Sequence, residues 1–315
     1  MSAVLLLGPT ACGKSALAMG LAQQCSAEIV SIDSAQVYRG LDIGSAKPDA
    51  AERARVVHHL IDIRDPAQPY SAAEFVRDAS AAIADVQARG RLALVVGGTM
   101  MYARALRQTL AQLPGADPQI RARLEREAVI EGWPALHARL HAVDPQTAQR
   151  LAPNDRQRIG RALEVYESSG QPLSQLLAST ALPAGSPGHA LFTVALLPLD
   201  RSELHRRIET RFDRMLEQGF LDEVRALRAR GDLDAALPAL RSVGYRQAWE
   251  YLEGGASHAQ FRAAAIAATR RLAKHQMTWL RSMHDALVID PFAPDAADQL
   301  LRALQGRASE IVKKP

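Results

Sequence analysis

Cysteine and lysine are scarce in this chain, its net charge is small, and it has no long apolar run. Two cysteines in 315 residues, Cys12 and Cys25, supply neither a disulfide framework nor a zinc site. A reducing cytoplasm is therefore the expected setting. No apolar stretch is long enough to span a bilayer. The short start runs straight into a strand pattern, which is not the pattern of a signal peptide. Only Lys14, Lys47, Lys274, Lys313 and Lys314 are lysines, so nearly all of the 38 cations are arginine. Arginine suits bidentate phosphate contacts and stacking on bases. The formal charge of +4 tilts only mildly towards polyanions. No internal repeat is present. At 48% hydrophobic and 23% charged residues, the composition is that of a globular protein with room for two domains.

Against this background one stretch stands out. Gly8-Pro9-Thr10-Ala11-Cys12-Gly13-Lys14-Ser15 is a complete G-x-x-x-x-G-K-[ST] phosphate-binding loop. The apolar run Ala3–Leu7 before it reads as a buried parallel strand, and Ala16–Ala22 after it reads as a helix. In such a loop glycine lets the backbone wrap an anion, and N–H groups at the helix start point at phosphate oxygens. Lys14 adds a point charge, and the Ser15 hydroxyl is placed to help hold Mg²⁺. A helix N-terminus can lower the pKa of Cys12; a small residue that simply fits the loop is the simpler reading.

The remaining pattern alternates strands and helices. Strands are expected at residues 28–33, 58–63, 92–96, 191–197 and 287–290. Ser71 to Glu74 is a capping box opening a helix to about Arg89. Further helices follow Thr99, follow Asp200 up to Gly219, and run from about 260 to 281. This rhythm predicts an α/β fold, a P-loop NTPase-like parallel sheet flanked by helices. Between about Leu113 and Ser186 no strand pattern appears, and Pro183 to Gly188 reads as a linker. The expected organisation is therefore a core of residues 1–112 and 188–315 with an all-helical insertion at 113–187. The tail at Lys313–Pro315 is expected to fray.

Two side chains at strand ends share the loop's expected crevice. Asp33 closes the second strand, where a carboxylate can take a proton or bind Mg²⁺ through water. Thr99 closes the 92–96 strand after Gly97-Gly98, and can orient a substrate amine or cap a helix. Arg207, Arg211 and Arg214 share one face of the helix after Asp200. Three arginine-bearing stretches, at 156–161, 241–246 and 274–281, can bind nucleic acid or form solvated helix faces. His58 and His59 have no ligand spacing and read as structural, and Met100-Met101-Tyr102 as packing. Spacing alone leaves three readings open: a protein transferring or cleaving a phosphorylated group on RNA, a small-molecule kinase, and a nucleotide-dependent RNA-binding switch.

Taken together, the motifs resemble the tRNA dimethylallyltransferases, or tRNA isopentenyl transferases. Gly8 to Ser15 looks like their GPTASGK[ST] loop, with Cys12 at the usual serine. Asp33 to Tyr38 resembles DSxQxY, Asp42 to Pro48 DIGTAKP, and His59 to Asp62 their H-x-L-x-D/I segment. Val96 to Tyr102 resembles VGGTxLY, and Arg241 to Gln247 IxxVGYRQ. The likeness runs to about Arg281, without the zinc finger of some eukaryotic members, so it is to the bacterial form. It implies transfer of a dimethylallyl group from dimethylallyl diphosphate to the exocyclic amine of the adenosine 3′ of the anticodon. The tRNAs concerned read codons beginning with U; the products are N6-isopentenyladenosine and diphosphate. It implies Asp33 as general base and Thr99 as the orienting hydroxyl. Diphosphate would sit on Gly8, Pro9, Thr10, Ala11, Cys12, Gly13, Lys14 and Ser15, with Mg²⁺ on Ser15; Arg211, from the arginine face it shares with Arg207 and Arg214, is read as a further contact. It implies tRNA contacts at Asp33, Ser34, Ala35, Gln36, Thr99 and Arg121. Others are Gln157, Arg158, Ile159, Gly160 and Arg161, and Leu240, Arg241, Ser242, Val243, Gly244 and Tyr245. Gly160 stands where a polar residue is usual, so its backbone would have to serve. The insertion would clamp the anticodon stem, and the enzyme is expected to be a cytoplasmic monomer with no membrane partner.

Overall fold

The structure is a computed structural model that describes residues 3–107, 113–179 and 191–312, with side chains described except at residues 179 and 306–312. The linker expected at Pro183–Gly188 and the tail at Lys313–Pro315 lie outside the described residues. The chain divides into two compact units. The first comprises Met1–Arg107 with Gly188–Pro315, and the second is Gln108–Pro187.

Six parallel strands form the sheet of the first unit: β1 (Ala3–Leu7), β2 (Ala27–Ile32), β3 (His58–His59), β4 (Leu92–Gly97), β5 (Leu191–Leu196) and β6 (Leu287–Ile289), in the order β3-β2-β4-β1-β5-β6. β1 is central and wholly buried, as its five consecutive apolar residues require of a strand covered on both faces. It pairs with β4 on one side and β5 on the other, Leu7 facing Gly97 and Ala195. The order runs outward in both directions from β4 and β1. Their carboxyl ends therefore define the crevice in which open α/β sheets bind ligands.

Helices α1 (Lys14–Gln24), α2 (Ala50–Arg55), α3 (Ala72–Ala88) and α4 (Met100–Arg107) belong to the first half of this unit. The predicted capping box at Ser71 is present, with Glu74 N–H donating to Ser71 Oγ and Ser71 N–H to the Glu74 carboxylate. The third strand is shorter than the sequence pattern predicts. Leu60 (φ 63°) and Asp62 (φ 58°) turn left-handed, so pairing stops at His59. Asp62 instead joins Lys47 and Arg53 in an ion-pair cluster. The two histidines do take structural positions: His59 Nε2 lies 2.7 Å from the buried Glu28 carboxylate, and His58 Nδ1 2.8 Å from Val56 O.

The second unit is helical throughout its described residues: α5 (Pro118–Glu131), α6 (Trp133–Val143), α7 (Pro145–Ala148), α8 (Arg156–Ser169) and α9 (Leu173–Ser179). Its separate core is formed by Leu124, Leu136, Leu140, Ile159 and Leu163 with their neighbours. Pro134 and Pro145 sit in the first turn of α6 and of α7, where a missing N–H costs nothing, so they start helices.

The chain then returns to the first unit with α10 (Arg201–Glu217), α11 (Phe220–Ala229), α12 (Tyr245–Leu252), α13 (His258–Arg281) and α14 (Ala296–Val312). Asp200 caps α10, accepting from Ser202 N–H and Glu203 N–H. Leu204, Ile208, Phe212 and Met215 bury one stripe of α10, which turns Arg211 and Arg214 towards the crevice.

Candidate active site

At the carboxyl end of β1 the chain enters the phosphate loop. Ala11 (φ 64°) and Gly13 (φ 90°) are both left-handed, and such alternation turns backbone N–H groups into an anion-binding concavity. Several amides are already used. Gly8 N–H donates to Gly97 O, Cys12 N–H to Pro9 O, and Thr10 N–H to the side chain of Gln276. Among the described residues the amides of Ala11, Gly13, Ser15 and Ala16 have no protein acceptor, so they are open to an anion. Cys12 is buried, and that burial pushes its thiol up rather than down. Its sulfur packs against Gly8, where an added Cβ would lie 2.7 Å from Sγ. Cys12 is thus a packing residue of the loop.

Two cations face this loop without a carboxylate partner. Lys14 Nζ donates only to Pro9 O at 3.4 Å, and Arg211 Nη1 donates to Thr10 Oγ1 at 3.1 Å. Neither forms an ion pair among the described residues. Desolvation pushes Lys14 below the usual lysine range, and the Arg211 charge pushes the same way. Burial also lowers Arg211. Desolvated cations of this kind are held ready for an anion.

Opposite the loop lie the ends of β2 and β4. Asp33 Oδ1 accepts from Ala35 N–H at 2.8 Å and Gln36 N–H at 3.3 Å, an Asx turn that fixes the carboxylate. Its second oxygen has no partner among the described residues. Ser34 N–H donates to Thr99 Oγ1 at 3.1 Å, so the residue after Asp33 and the hydroxyl after β4 are directly linked. This closeness rests on glycine: a Cβ at Gly97 would lie 2.0 Å from Ile32 O. Gly98 N–H and Thr99 N–H both donate to that same carbonyl.

These groups line one cleft of about 1250 Å³, which includes Thr10, Ala11, Lys14, Ser15, Asp33, Thr99 and Arg211. Ser34, Ala35, Gln36, Arg241, Ser242, Val243 and Gly244 line it too. Apolar wall is supplied by Met19, Ile208, Phe212, Met215 and Phe220, and by Leu272 and Trp279 nearer solvent. Ser15 and Asp33 offer hard oxygen ligands. No group of three acidic, histidine or cysteine side chains that could hold a metal exists among the described residues. The hydroxyl and carboxylate oxygens are of the kind that Mg²⁺ takes as ligands.

Some predicted RNA contacts take other roles. The Leu240 and Tyr245 side chains are wholly buried in the core of the first unit, and Ile159 in that of the second. Side chains in those positions cannot touch a ligand without unpacking the fold. Tyr245 Oη donates to Glu223 at 2.6 Å, and burial raises the phenol well above its usual range. In the second unit Arg121 and Arg161 both pair with the buried Glu164. Gly160 lies beside the Trp133 ring, where an added Cβ would meet it at 3.6 Å. Gln157 and Arg158 remain exposed at the start of α8, and Arg241 is exposed at the cleft.

Two site residues carry no motif of their own in the sequence. Gln276 lies on the buried stripe of α13 with Ala273, Met277 and Leu280, so a lone polar residue on an apolar stripe was the available signal. Glu223 accepts the backbone N–H groups of Asp42, Ile43 and Gly44, fixing the loop that forms one cleft wall. Nothing in its local sequence marks it.

The model of the IPP transferase family matches residues 36–283. A tRNA dimethylallyltransferase of Burkholderia mallei is 57% identical over 308 residues, covering 96% of this chain and 95% of the relative; one from Burkholderia pseudomallei matches equally. Among solved structures, the tRNA isopentenylpyrophosphate transferase of Bacillus halodurans is 33% identical with a TM-score of 0.71, covering 98% and 97% of the two chains. A eukaryotic dimethylallyltransferase, solved acting on tRNA, shares the fold at TM-score 0.82 with 24% identity, covering 99% of this chain and 80% of its own. With a phosphate loop, a carboxylate and a hydroxyl gathered at the carboxyl ends of three neighbouring strands, and with these matches across almost its whole length, the chain belongs to the IPP transferase family.

Proposed function

We propose that this cleft transfers the dimethylallyl group of dimethylallyl diphosphate to N6 of the adenosine 3′ of the anticodon, in tRNAs reading codons that begin with U. The products are N6-isopentenyladenosine and diphosphate. The observation that carries the reading is the meeting of unpaired cations at the phosphate loop with Asp33 and Thr99 in one cleft. A phosphate loop alone fits a kinase equally well. A carboxylate and a hydroxyl at the ends of β2 and β4 add what an amine acceptor needs.

In this mechanism the N6 lone pair attacks the allylic carbon, and the carbon–oxygen bonding pair leaves with diphosphate. The N6 proton passes to the free oxygen of Asp33, whose other oxygen is held by the Asx turn. Thr99 orients the amine. Charge developing on the leaving group falls to the free loop amides, Lys14 and Arg211, which are desolvated before substrate arrives and so need no reorganisation. Ser15 is the residue that would hold Mg²⁺. The ion would add charge neutralisation at the leaving diphosphate. A loop adenosine must be splayed out of its stack to reach the allyl group, which is cheapest in single-stranded RNA. Arg241, Ser242 and the Ser34–Gln36 turn are assigned to the RNA near the reacting base, and exposed Gln157 and Arg158 of the helical unit to the anticodon stem. The enzyme is taken to act in the cytoplasm, where a tRNA acceptor is found, and as a monomer.

The test is mass analysis of nucleosides after incubation of tRNA with dimethylallyl diphosphate. Appearance of N6-isopentenyladenosine supports the proposal. No change in the RNA, together with phosphate transfer from ATP to a small acceptor, would overturn it in favour of a kinase.

A further inference from the structure

Every catalytic group named so far lies on the phosphate loop, on α10, or at the ends of β2 and β4. One buried side chain joins these parts and has no role in that chemistry. Gln276, from the middle of α13, is almost fully buried at the back of the cleft. Its Oε1 accepts from Thr10 N–H at 2.9 Å, and its Nε2 donates to Gly98 O at 2.8 Å. The orientation of the carboxamide is not ambiguous. A peptide N–H can only donate and a carbonyl can only accept, so a flipped amide would break both bonds.

Both anchors are themselves fixed on the reacting machinery. Thr10 receives Arg211 on its hydroxyl while Gln276 takes its amide, so this loop residue is held from two sides. Gly98 precedes Thr99, and its N–H is bound to Ile32 O, one residue before Asp33. The approach is close enough to require glycine, since a Cβ at Gly98 would lie 2.5 Å from Gln276 Nε2. Leu272, His275 and Trp279, one turn or less away on the same helix, form part of the cleft wall.

We propose that Gln276 is a positioning residue that sets the spacing between the diphosphate loop and the Thr99 turn, and hence between leaving group and amine. This rests on the transfer reaction proposed above. A group that fixes this spacing acts on the transition state more than on the binding of either substrate, because each substrate is still gripped by its own wall. Its two ends also need opposite chemistry. A glutamate keeps an acceptor for Thr10 but sets a second acceptor against Gly98 O. A leucine supplies neither bond.

The test compares wild type, Gln276→Glu and Gln276→Leu in the transfer of labelled dimethylallyl diphosphate to an anticodon stem-loop RNA. The binding of inorganic diphosphate and of the RNA is measured separately by calorimetry. Expected is a fall in kcat of roughly 10- to 100-fold for both variants, with both dissociation constants within about threefold of wild type. If the leucine variant does not fold, Gly98→Ala displaces the same carboxamide from the other side and should give the same kcat-selective loss. A kcat within about threefold of wild type, or affinities that weaken in step with kcat, would overturn the positioning role. A wild-type enzyme that transfers nothing would instead overturn the functional reading beneath it.

Discussion

Charge drawn away from solvent is handled in opposite ways in the two units. In the helical unit Glu164 is fully buried and fully paired: Arg121 donates through Nε and Nη2, Arg161 through Nη1, and Asp117 through its backbone N–H. Desolvation would raise this carboxyl, but the bonds together hold it below the usual range. In the cleft of the first unit Lys14 and Arg211 are half-buried and desolvated, and among the described residues no carboxylate is bound to either. A paired buried charge closes on itself and serves the fold. An unpaired one costs stability until a ligand of opposite sign arrives, and so marks a site. The contrast separates arginines that look alike in the sequence.

The largest effect should come from the unpaired side. Lys14→Met removes a cation facing the leaving group, and transfer should fall roughly 1000-fold, read as single-turnover product formation. A loss under about tenfold would show that the loop amides and Arg211 suffice. Next comes the paired side. Glu164→Ala leaves Arg121, Arg161 and the Asp117 amide without their acceptor, and should destabilise the helical unit by about 3 kcal/mol, seen as faster hydrogen exchange in α5 and α8. Exchange unchanged in those helices would place their stability in the apolar core instead. The same pair predicts an acid effect. The folded-state pKa of Glu164 lies below its ordinary value of 4.5, so its stabilisation is present above that value and is lost as pH falls through the folded one. Protection of α5 and α8 should therefore weaken below about pH 4.5 in wild type. It should weaken less steeply in Glu164→Ala.

The smallest effect is the sharpest form of the comparison. Without ligand, Lys14→Met should stabilise the protein by about 1 kcal/mol, the usual trade between a functional charge and the fold. The sign follows from the depressed lysine. Between its folded-state pKa and 10.5 the unfolded chain binds the extra proton, so stability rises with pH there in wild type and not in the variant. A thermal melt of the ligand-free proteins reads this directly. A lower melting temperature for Lys14→Met would mean that the lysine is structural.

Local patterns carried much of the site into view. The loop, Asp33 and Thr99 sit at strand ends, and strand ends follow from apolar runs that stop at a polar residue or glycine. Contacts spanning hundreds of residues did not show. Gln276 meets Thr10 from 266 positions away, and Glu223 reaches Ile43 across 180. The third strand ends earlier than residues 58–63 suggest, because Leu60 and Asp62 turn left-handed and Asp62 joins the Lys47 and Arg53 cluster, a contact with distant residues that the local stretch does not show. Leu240, Tyr245 and Ile159 show the limit of motif reasoning. A recurring stretch near a ligand contains residues that hold the stretch in place as well as residues that touch the ligand.

The central claim is that Asp33 takes the amine proton in a cleft whose binding groups lie elsewhere. Asp33→Ala tests it most directly, with tRNA binding and the rate of N6-isopentenyladenosine formation measured on the same preparation. The account predicts RNA affinity close to wild type and transfer at least ~100-fold slower, the scale of general-base loss. Turnover unchanged from wild type would contradict it.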